Sequence, residues 1–188
     1  TVVVDAETIQ KEAENFLLIN LNSASVSALD KYRIGVSANV PEYLNIKECL
    51  DAVGLEAGSG EKKISAIASI GSYINAPSKE EARAKKRKTM ITALEILKES
   101  AGIELINQTS ILGMCIFVKH FVDSGYTEKE AVIEKFKNID ITEQIKKAQT
   151  MKNNATRGKV VSYLAWLLCE EYNKGLRGSK KLVNNIAI

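Results

Sequence analysis

Helix start and stop signals recur at short intervals along the chain, and they constrain the fold more than any other feature. An S-x-x-E capping box at Ser78 and Glu81 opens one segment, and Gly102 closes it. Between such signals, apolar residues return with the period of an α-helix. Only two of the 188 residues are proline, so little interrupts these segments. The pattern predicts an all-α fold of about eight helices joined by short links.

The predicted helices share this combination of capping residues and apolar periodicity. They cover, in chain order, residues 5–21, 41–54, 60–75, 78–102, 109–124, 127–139, 140–152 and 158–176. Two more capping boxes, Thr127 with Glu130 and Asp140 with Glu143, open the sixth and seventh. Residues 23–40 fit either a helix or a loop. The weak β signal is confined to residues 1–4.

We expect residues 1–188 to form a single domain, or two small lobes at 5–102 and 109–176. The ends, residues 1–4 and 177–188, are predicted to be extended apolar arms. Their apolar residues are Val2, Val3, Val4, Leu182, Val183, Ile186 and Ile188. Such an end either packs against its own core or docks on a neighbouring copy. Docking would build a homo-oligomer, as a ring or a filament.

The helix at 78–102 has two unlike halves. Its second half carries an apolar stripe that includes Met90, Leu94 and Leu97, which we expect to be buried. Its first half is crowded with cations. This contrast predicts that one end anchors in a core while the other projects toward an anionic partner.

Three basic clusters recur in a chain whose net charge is only +3. Residues 1–56 hold nine acids and four bases, whereas residues 57–188 hold 14 acids and 22 bases. Phosphate binding needs cations on flexible stems and no base-reading geometry. The candidate nucleic-acid-binding residues are Arg83, Lys85, Lys86, Arg87, Lys88, Lys146, Lys147, Lys152, Arg157, Lys159, Lys174, Arg177, Lys180 and Lys181. Three interpretations compete with this one: a solvated helix face, local pairing of Glu80 and Glu81 with the nearby cations, and a nuclear-import signal at "KKRK".

Two tyrosines flank the basic clusters near predicted helix ends. Tyr73 and Tyr172 are therefore candidates for stacking on exposed bases. Packing against the protein is the competing interpretation for both rings. The other large aromatic residues, such as Phe117 and Phe136, have the neighbours expected of core positions.

The sequence contains no recognisable catalytic or metal-binding pattern. His120 is the only histidine, and it lies on a mostly apolar helix. There is no H-E-x-x-H, no G-x-S-x-G and no clustered Cys/His set, so we expect no enzyme, no cofactor and no metal. The three cysteines lie far apart, which indicates a reducing compartment. The longest apolar run, 111–118, is too short to cross a bilayer, so we expect no membrane partner.

These observations favour a non-enzymatic protein that binds nucleic acid largely without sequence preference. It would self-assemble and coat single-stranded RNA, or less readily DNA, as a viral nucleocapsid or coat protein does. Its expected location is intracellular, cytoplasmic or nuclear, or inside a virion. The alternative is a helical adaptor or regulatory module whose basic surface binds an acidic protein partner. The same cations would serve either partner.

Overall fold

The computed structural model describes residues 26–60 and 63–188, together with residues 8, 9, 11, 12, 15, 16 and 19. The chain divides into two compact units, Thr1–Arg87 (unit 1) and Lys88–Ile188 (unit 2). Eight α-helices carry nearly all the regular structure of the described residues, which confirms the predicted all-α fold. The boundary between the predicted lobes at 5–102 and 109–176 differs from the boundary between these two units. The lobes stay a prediction.

Within residues 26–60 and 63–87, unit 1 has three complete helices and the beginning of a fourth. They are α1 (Ala28–Ser37), α2 (Pro41–Ala52), α3 (Ile67–Ile74) and the first part of α4 (Glu80–Ser100). Helix α1 lies within residues 23–40, for which the sequence fits either a helix or a loop. It begins after Ser27, whose hydroxyl accepts a hydrogen bond from the Asp30 backbone amide at 3.1 Å. The described residues at 8–19 also have helical backbone.

The predicted helix at 60–75 begins later than expected. Two short parallel strands, β1 (Glu56–Ala57) and β2 (Lys63–Ile64), precede it, with Glu56 opposite Lys63. Because the backbone of β2 pairs with β1, α3 starts only at Ile67. Residues 1–4, where the β signal was expected, lie outside the described residues.

Two of the three predicted capping boxes are wrong. Helix α4 begins at Glu80. The Ser78 hydroxyl does not cap this helix but donates to the Ala76 carbonyl at 3.1 Å. Helix α6 (Lys129–Phe136) likewise begins beyond Thr127 and has no side-chain cap. The third prediction holds for Asp140, whose carboxylate accepts from the Glu143 amide at 3.0 Å.

Unit 2 contains the rest of α4 and four further helices. These are α5 (Gln108–Asp123), α6, α7 (Ile141–Asn153) and α8 (Val160–Asn173), with short 3₁₀ turns at Ile103–Leu105 and Gly178–Lys180. Helix α8 packs against α5 and α7. At Gly113 of α5, a Cβ atom would lie only 2.6 Å from Leu164 of α8. Glycine is required there because the two helices approach so closely.

The core of unit 2 combines the apolar stripe of α4 with an aromatic cluster. Met90, Leu94 and Leu97 are completely buried, as the sequence predicts. The ring centroids of Phe117 and Phe136 lie 5.3 Å apart. The rings of Phe121, Tyr126 and Tyr172 join the same cluster.

Residues 181–188, which we call the strap, run back along α8. Leu182 exchanges two hydrogen bonds with the side chain of Asn173, at 2.8 and 2.7 Å. The side-chain amide of Asn184 donates to the Trp166 carbonyl at 3.1 Å. Ile188 lies against Gly158, just before the other end of α8. The strap is therefore antiparallel to α8 and spans its length.

Candidate functional site

The five candidate cations on α4 are only partly available to a ligand. Arg87 Nη2 lies 3.0 Å from Glu80 Oε1, and Arg83 Nη1 lies 3.6 Å from Glu80 Oε2. Lys86 Nζ donates to the Ala76 carbonyl oxygen at 3.2 Å, ahead of the helix. These three side chains therefore hold the first turns of α4 in place.

The remaining two α4 cations are exposed. Neither Lys85 nor Lys88 has an ion-pair partner among the residues that the structure describes. A helix surface with two unpaired lysines is a weaker anion site than the five cations within residues 83–88 indicate in the sequence. Of the α4 group, these two are the residues best able to meet a phosphate.

In unit 2, the cations between residues 98 and 137 are all engaged with the protein. Four form ion pairs with carboxylates: Lys98 with Glu99, Lys119 with Asp123, Lys129 with Glu95 and Lys137 with Glu134. The fifth, Lys135, donates to the carbonyl oxygens of Tyr172 and Lys174, at 2.5 and 2.8 Å. None of these five was a candidate binding residue.

The cations from residue 146 onward differ sharply. Lys147 pairs with Glu143 at 2.7 Å, and Lys174 pairs with Glu171 at 2.5 Å. The others have no ion-pair partner in the described part of the chain: Lys146, Lys152, Arg157, Lys159, Arg177, Lys180 and Lys181.

The scarcity of nearby acids explains the unpaired charge. Beyond Glu143, the sequence holds only Glu170 and Glu171. Glu170 accepts a hydrogen bond from Asn184, and Glu171 accepts from Gln144 as well as pairing with Lys174. Neither carboxylate forms an ion pair with any of the seven cations among the described residues.

Three of the seven lie around the start of α8, and we call Lys152, Arg157 and Lys159 the α8-start cluster. The connection from α7 to α8 is fixed by the Tyr163 hydroxyl, which donates to the Arg157 carbonyl at 3.1 Å. Gly158 has a φ of +87°, which favours glycine. Lys159 is the N-cap residue, and no side chain satisfies the first amides of α8. The cluster therefore adds three cations to the positive end of a helix dipole.

Another three lie beyond the last turn of α8, and we call Arg177, Lys180 and Lys181 the α8-end cluster. All three are exposed. The Tyr126 hydroxyl donates to the carbonyl oxygens of Ser179 and Lys181, at 3.3 and 3.1 Å, which holds the backbone of this segment. Cations here also complement the negative end of the α8 dipole.

The structure corrects the prediction that Tyr172 stacks on a base. The Tyr172 side chain is only 7% exposed, and it packs edge-on against Phe121 at a centroid distance of 5.3 Å. Lys135 Nζ lies over the ring at 5.3 Å from its centroid. The residue flanks a basic cluster in sequence but points into the core. Tyr73 is half-buried in α3, and its stacking role stays a prediction.

The predicted arms differ in what the structure describes. Val2, Val3 and Val4 lie outside the described residues. In the strap, Leu182 and Ile186 are buried against their own chain, whereas Val183 and Ile188 are exposed. Docking of these residues on a neighbouring copy stays a prediction.

The remaining reactive groups serve the fold. His120 Nε2 lies within hydrogen-bonding distance, 2.7 Å, of the Val183 carbonyl oxygen. Burial raises the pKa of the Cys49 and Cys169 thiols to about 11, so neither is a ready nucleophile. Across residues 26–60 and 63–188, and the described positions before them, no three His, Cys, Asp or Glu residues gather into a metal site. In the same residues, no helix has both the length and the apolar character to cross a bilayer.

Comparison with known proteins identifies no relative: no protein-family model, curated protein or solved structure matches the chain.

Proposed function

We propose that the chain binds the phosphate backbone of single-stranded nucleic acid, RNA in preference to DNA, without sequence preference and without catalysis. The observation that carries the proposal is the contrast within unit 2. Every cation from 98 to 137 is engaged by the protein, whereas seven from 146 to 181 have no partner among the described residues. Unpaired cations concentrated in one segment attract a polyanion.

The chemistry of the α8-start cluster suits phosphates. Lysine and arginine stems let each charge follow a mobile backbone, and the small polar residues Asn153, Asn154 and Thr156 are exposed beside them. Such groups donate to phosphate oxygens but impose no fixed geometry on base edges. We therefore expect binding to be strong in low salt and indifferent to sequence.

Self-assembly along the nucleic-acid strand is part of the same proposal. A coating protein covers nucleic acid by contacts between neighbouring copies, and the exposed parts of Val183 and Ile188 in the strap are available for such contacts. A protein of this kind would act inside the cell or inside a virion.

The first experiment measures how salt weakens binding to a mixed-sequence single-stranded RNA. If all seven unpaired cations neutralise a phosphate, the slope of log affinity against log salt should be about −5. Replacing Lys152, Arg157 and Lys159 with glutamine should make the slope shallower by about 2, because three fewer counterions are released. Fluorescence anisotropy from 50 to 200 mM salt (about these limits) gives both values.

A matched control removes the same charge from engaged cations. Replacing Lys98, Lys119 and Lys137 with glutamine should leave the slope near the wild-type value. Equal effects of the two triple variants would mean that net charge alone drives binding and would reject the site. If RNA and DNA fail to bind while polyglutamate binds, the cations serve an acidic protein partner, as the adaptor alternative predicts.

A further inference from the structure

The α8-start and α8-end clusters lie at opposite ends of one helix. Lys159 is the N-cap residue of α8, and Arg177 follows Asn173, the last residue of the helix, by four positions. Helix α8 has 14 residues, so its two ends are about 21 Å apart. Three cations without an ion-pair partner in the described part of the chain therefore lie near each end of a rigid element.

The strap joins the two clusters over the surface of unit 2. It begins at Lys181, which is a member of the α8-end cluster. Its far residue, Ile188, lies against Gly158, which stands between Arg157 and Lys159 of the α8-start cluster. Hydrogen bonds to α8 hold the strap in place between these two points. Both clusters therefore border the same segment of chain, one at each end of it.

The surface between the clusters offers neutral hydrogen-bond donors. Asn185 and Ala187 are exposed in the strap. Among the residues that the structure describes, no hydrogen bond uses the side-chain amide of Asn185 or the backbone N–H of Ala187. Side-chain and backbone N–H groups of this kind commonly donate to phosphate oxygens. A phosphate backbone that passed along the strap would therefore meet donors between the two groups of cations.

One carboxylate also lies beside the strap. Glu170 is exposed on α8, and it accepts a hydrogen bond from the side-chain amide of Asn184. Because Asn184 is in the middle of the strap, the charge of Glu170 lies between the two clusters. This charge should repel a phosphate that passes there, which makes Glu170 a probe of the course that a strand takes.

We propose that a single strand of nucleic acid binds both clusters at once by passing along the strap. Its phosphates meet cations at the two ends of α8 and neutral donors, such as the Asn185 amide, between them. Phosphates rise about 3.4 Å per nucleotide along a stacked strand, so a length of about 21 Å corresponds to about six nucleotides. The inference rests on the proposed function, and it adds the course of the strand and the shortest length that fills the site.

The first measurement is affinity against length for oligouridylates of about two to twelve nucleotides. Competition with a labelled RNA at low salt, followed by fluorescence anisotropy, gives the dissociation constant of each oligomer. In wild type this constant should fall by about tenfold or more as the length passes about six nucleotides, because binding to the second cluster then becomes intramolecular. Longer oligomers should gain only gradually. An oligomer of about eight nucleotides should saturate at one per chain.

Variants of either cluster should lose this step in affinity. Replacing Arg177, Lys180 and Lys181 with glutamine leaves one cluster, so a longer strand gains no second contact. All three side chains are exposed, so unit 2 should still fold. The triple glutamine variant of the α8-start cluster should lose the step in the same way. The triple variant of the engaged cations, which is the control for the salt dependence, should keep it.

Glu170→Gln tests the course of the strand. Glutamine still accepts from Asn184 but has no charge, so affinity for an oligomer of about eight nucleotides should rise about two- to fivefold at low salt. Affinity for a dinucleotide should change less, because a dinucleotide occupies only one cluster. Glu130→Gln is the matched control, since Glu130 is exposed on α6 and its replacement changes the net charge equally.

Three results would overturn the inference and leave the proposed function in place. They are a wild type without a step, a step that survives the loss of either cluster, and equal effects of Glu170→Gln and Glu130→Gln. A step only at about twice the expected length would also overturn it, because the strand would then join two copies. Absence of binding at every length, or binding of polyglutamate in place of RNA, would instead overturn the proposed function itself.

Discussion

Asn173 satisfies both backbone polar groups of Leu182. Its Oδ1 accepts from the Leu182 N–H at 2.8 Å, and its Nδ2 donates to the Leu182 carbonyl at 2.7 Å. The side chain thus supplies the pair of hydrogen bonds that a neighbouring β-strand would supply in a sheet. Because Leu182 is almost completely buried, water replaces these hydrogen bonds only if the strap leaves α8.

We expect Asn173→Ala to release the strap. Two backbone groups lose their partners at a cost of about 1–3 kcal/mol, so amide hydrogen exchange at residues 182–188 should become faster by about tenfold or more. Hydrogen-exchange mass spectrometry checks this. Asn185→Ala is the control, since Asn185 is exposed on the same segment. Equal exchange in both variants would mean that Leu182 and Ile186 hold the strap without Asn173.

Lys86 and its neighbour Lys85 should separate structural and binding roles on α4. Lys86→Ala removes the charged one of the two donors to the Ala76 carbonyl, the other being the Ser78 hydroxyl, and should lower the free energy of unfolding by about 0.5–1.5 kcal/mol. Lys85→Ala should change it by less than about 0.5 kcal/mol, because the side chain is exposed and unpaired among the described residues. Urea denaturation of both variants checks this. The reverse order would contradict the assigned contacts.

At the scale of whole elements, the two ends of helix α8 differ in whether a side chain satisfies their free backbone groups. Its first amides have no side-chain cap, whereas Lys135 of α6 donates to carbonyl oxygens at its last turn. Burial lowers the pKa of Lys135, so the protein holds this cation in place at some cost. The open end of α8 is the one surrounded by the α8-start cluster.

Removing the Lys135 amine should therefore destabilise α8 at its end. We expect Lys135→Met to lower the free energy of unfolding by about 1–2 kcal/mol, because the carbonyls of Tyr172 and Lys174 lose a charged donor. Lys137→Met is the matched control on the same helix end. Lys137 pairs with Glu134 at the surface, where solvent screens the ion pair and its contribution to stability is small. Circular dichroism melts compare the two, and equal losses would count against the capping role.

The helices could be predicted from sequence to the extent that local signals determine them. Asp140 and the stripe of Met90, Leu94 and Leu97 act within one or two turns, and both predictions are confirmed. The pairing of β1 with β2 could not be predicted, since two-residue strands have no period to detect. The burial of Tyr172 depends on Phe117 and Phe121, about 50 residues away along the chain, which local patterns do not reveal.

At the scale of the whole molecule, the largest group of unpaired cations and an open groove fall in different units. All seven unpaired cations in 146–181 belong to unit 2, whereas the open groove, of about 860 Å³ and bordered by α1, α2 and α3, and the exposed Ile9 and Ile19 belong to unit 1. The net charge of the sequence shows only that an excess of cations exists. Which of them are free depends on ion pairs such as Lys129 with Glu95, which join residues distant in sequence.

Core substitutions should affect mainly the unit that contains them. Leu50 in unit 1 and Leu164 in unit 2 are both buried. Replacing either with alanine should cost about 2–5 kcal/mol, because a cavity replaces packed methyl groups. Hydrogen exchange should accelerate in unit 1 for Leu50→Ala and in unit 2 for Leu164→Ala. Uniform acceleration across the chain in both variants would show that it unfolds as a single cooperative block.

The buried cysteines give the molecule its own reporters of local opening. Cys49 lies in unit 1, whereas Cys115 and Cys169 lie in unit 2, and all three are buried. A thiol-alkylating reagent reaches each sulfur only when the surrounding structure opens. Mass spectrometry of the alkylated peptides would then time the opening of each unit in unmodified protein. Adding RNA should slow alkylation at Cys169 on α8 while leaving the rate at Cys49 unchanged.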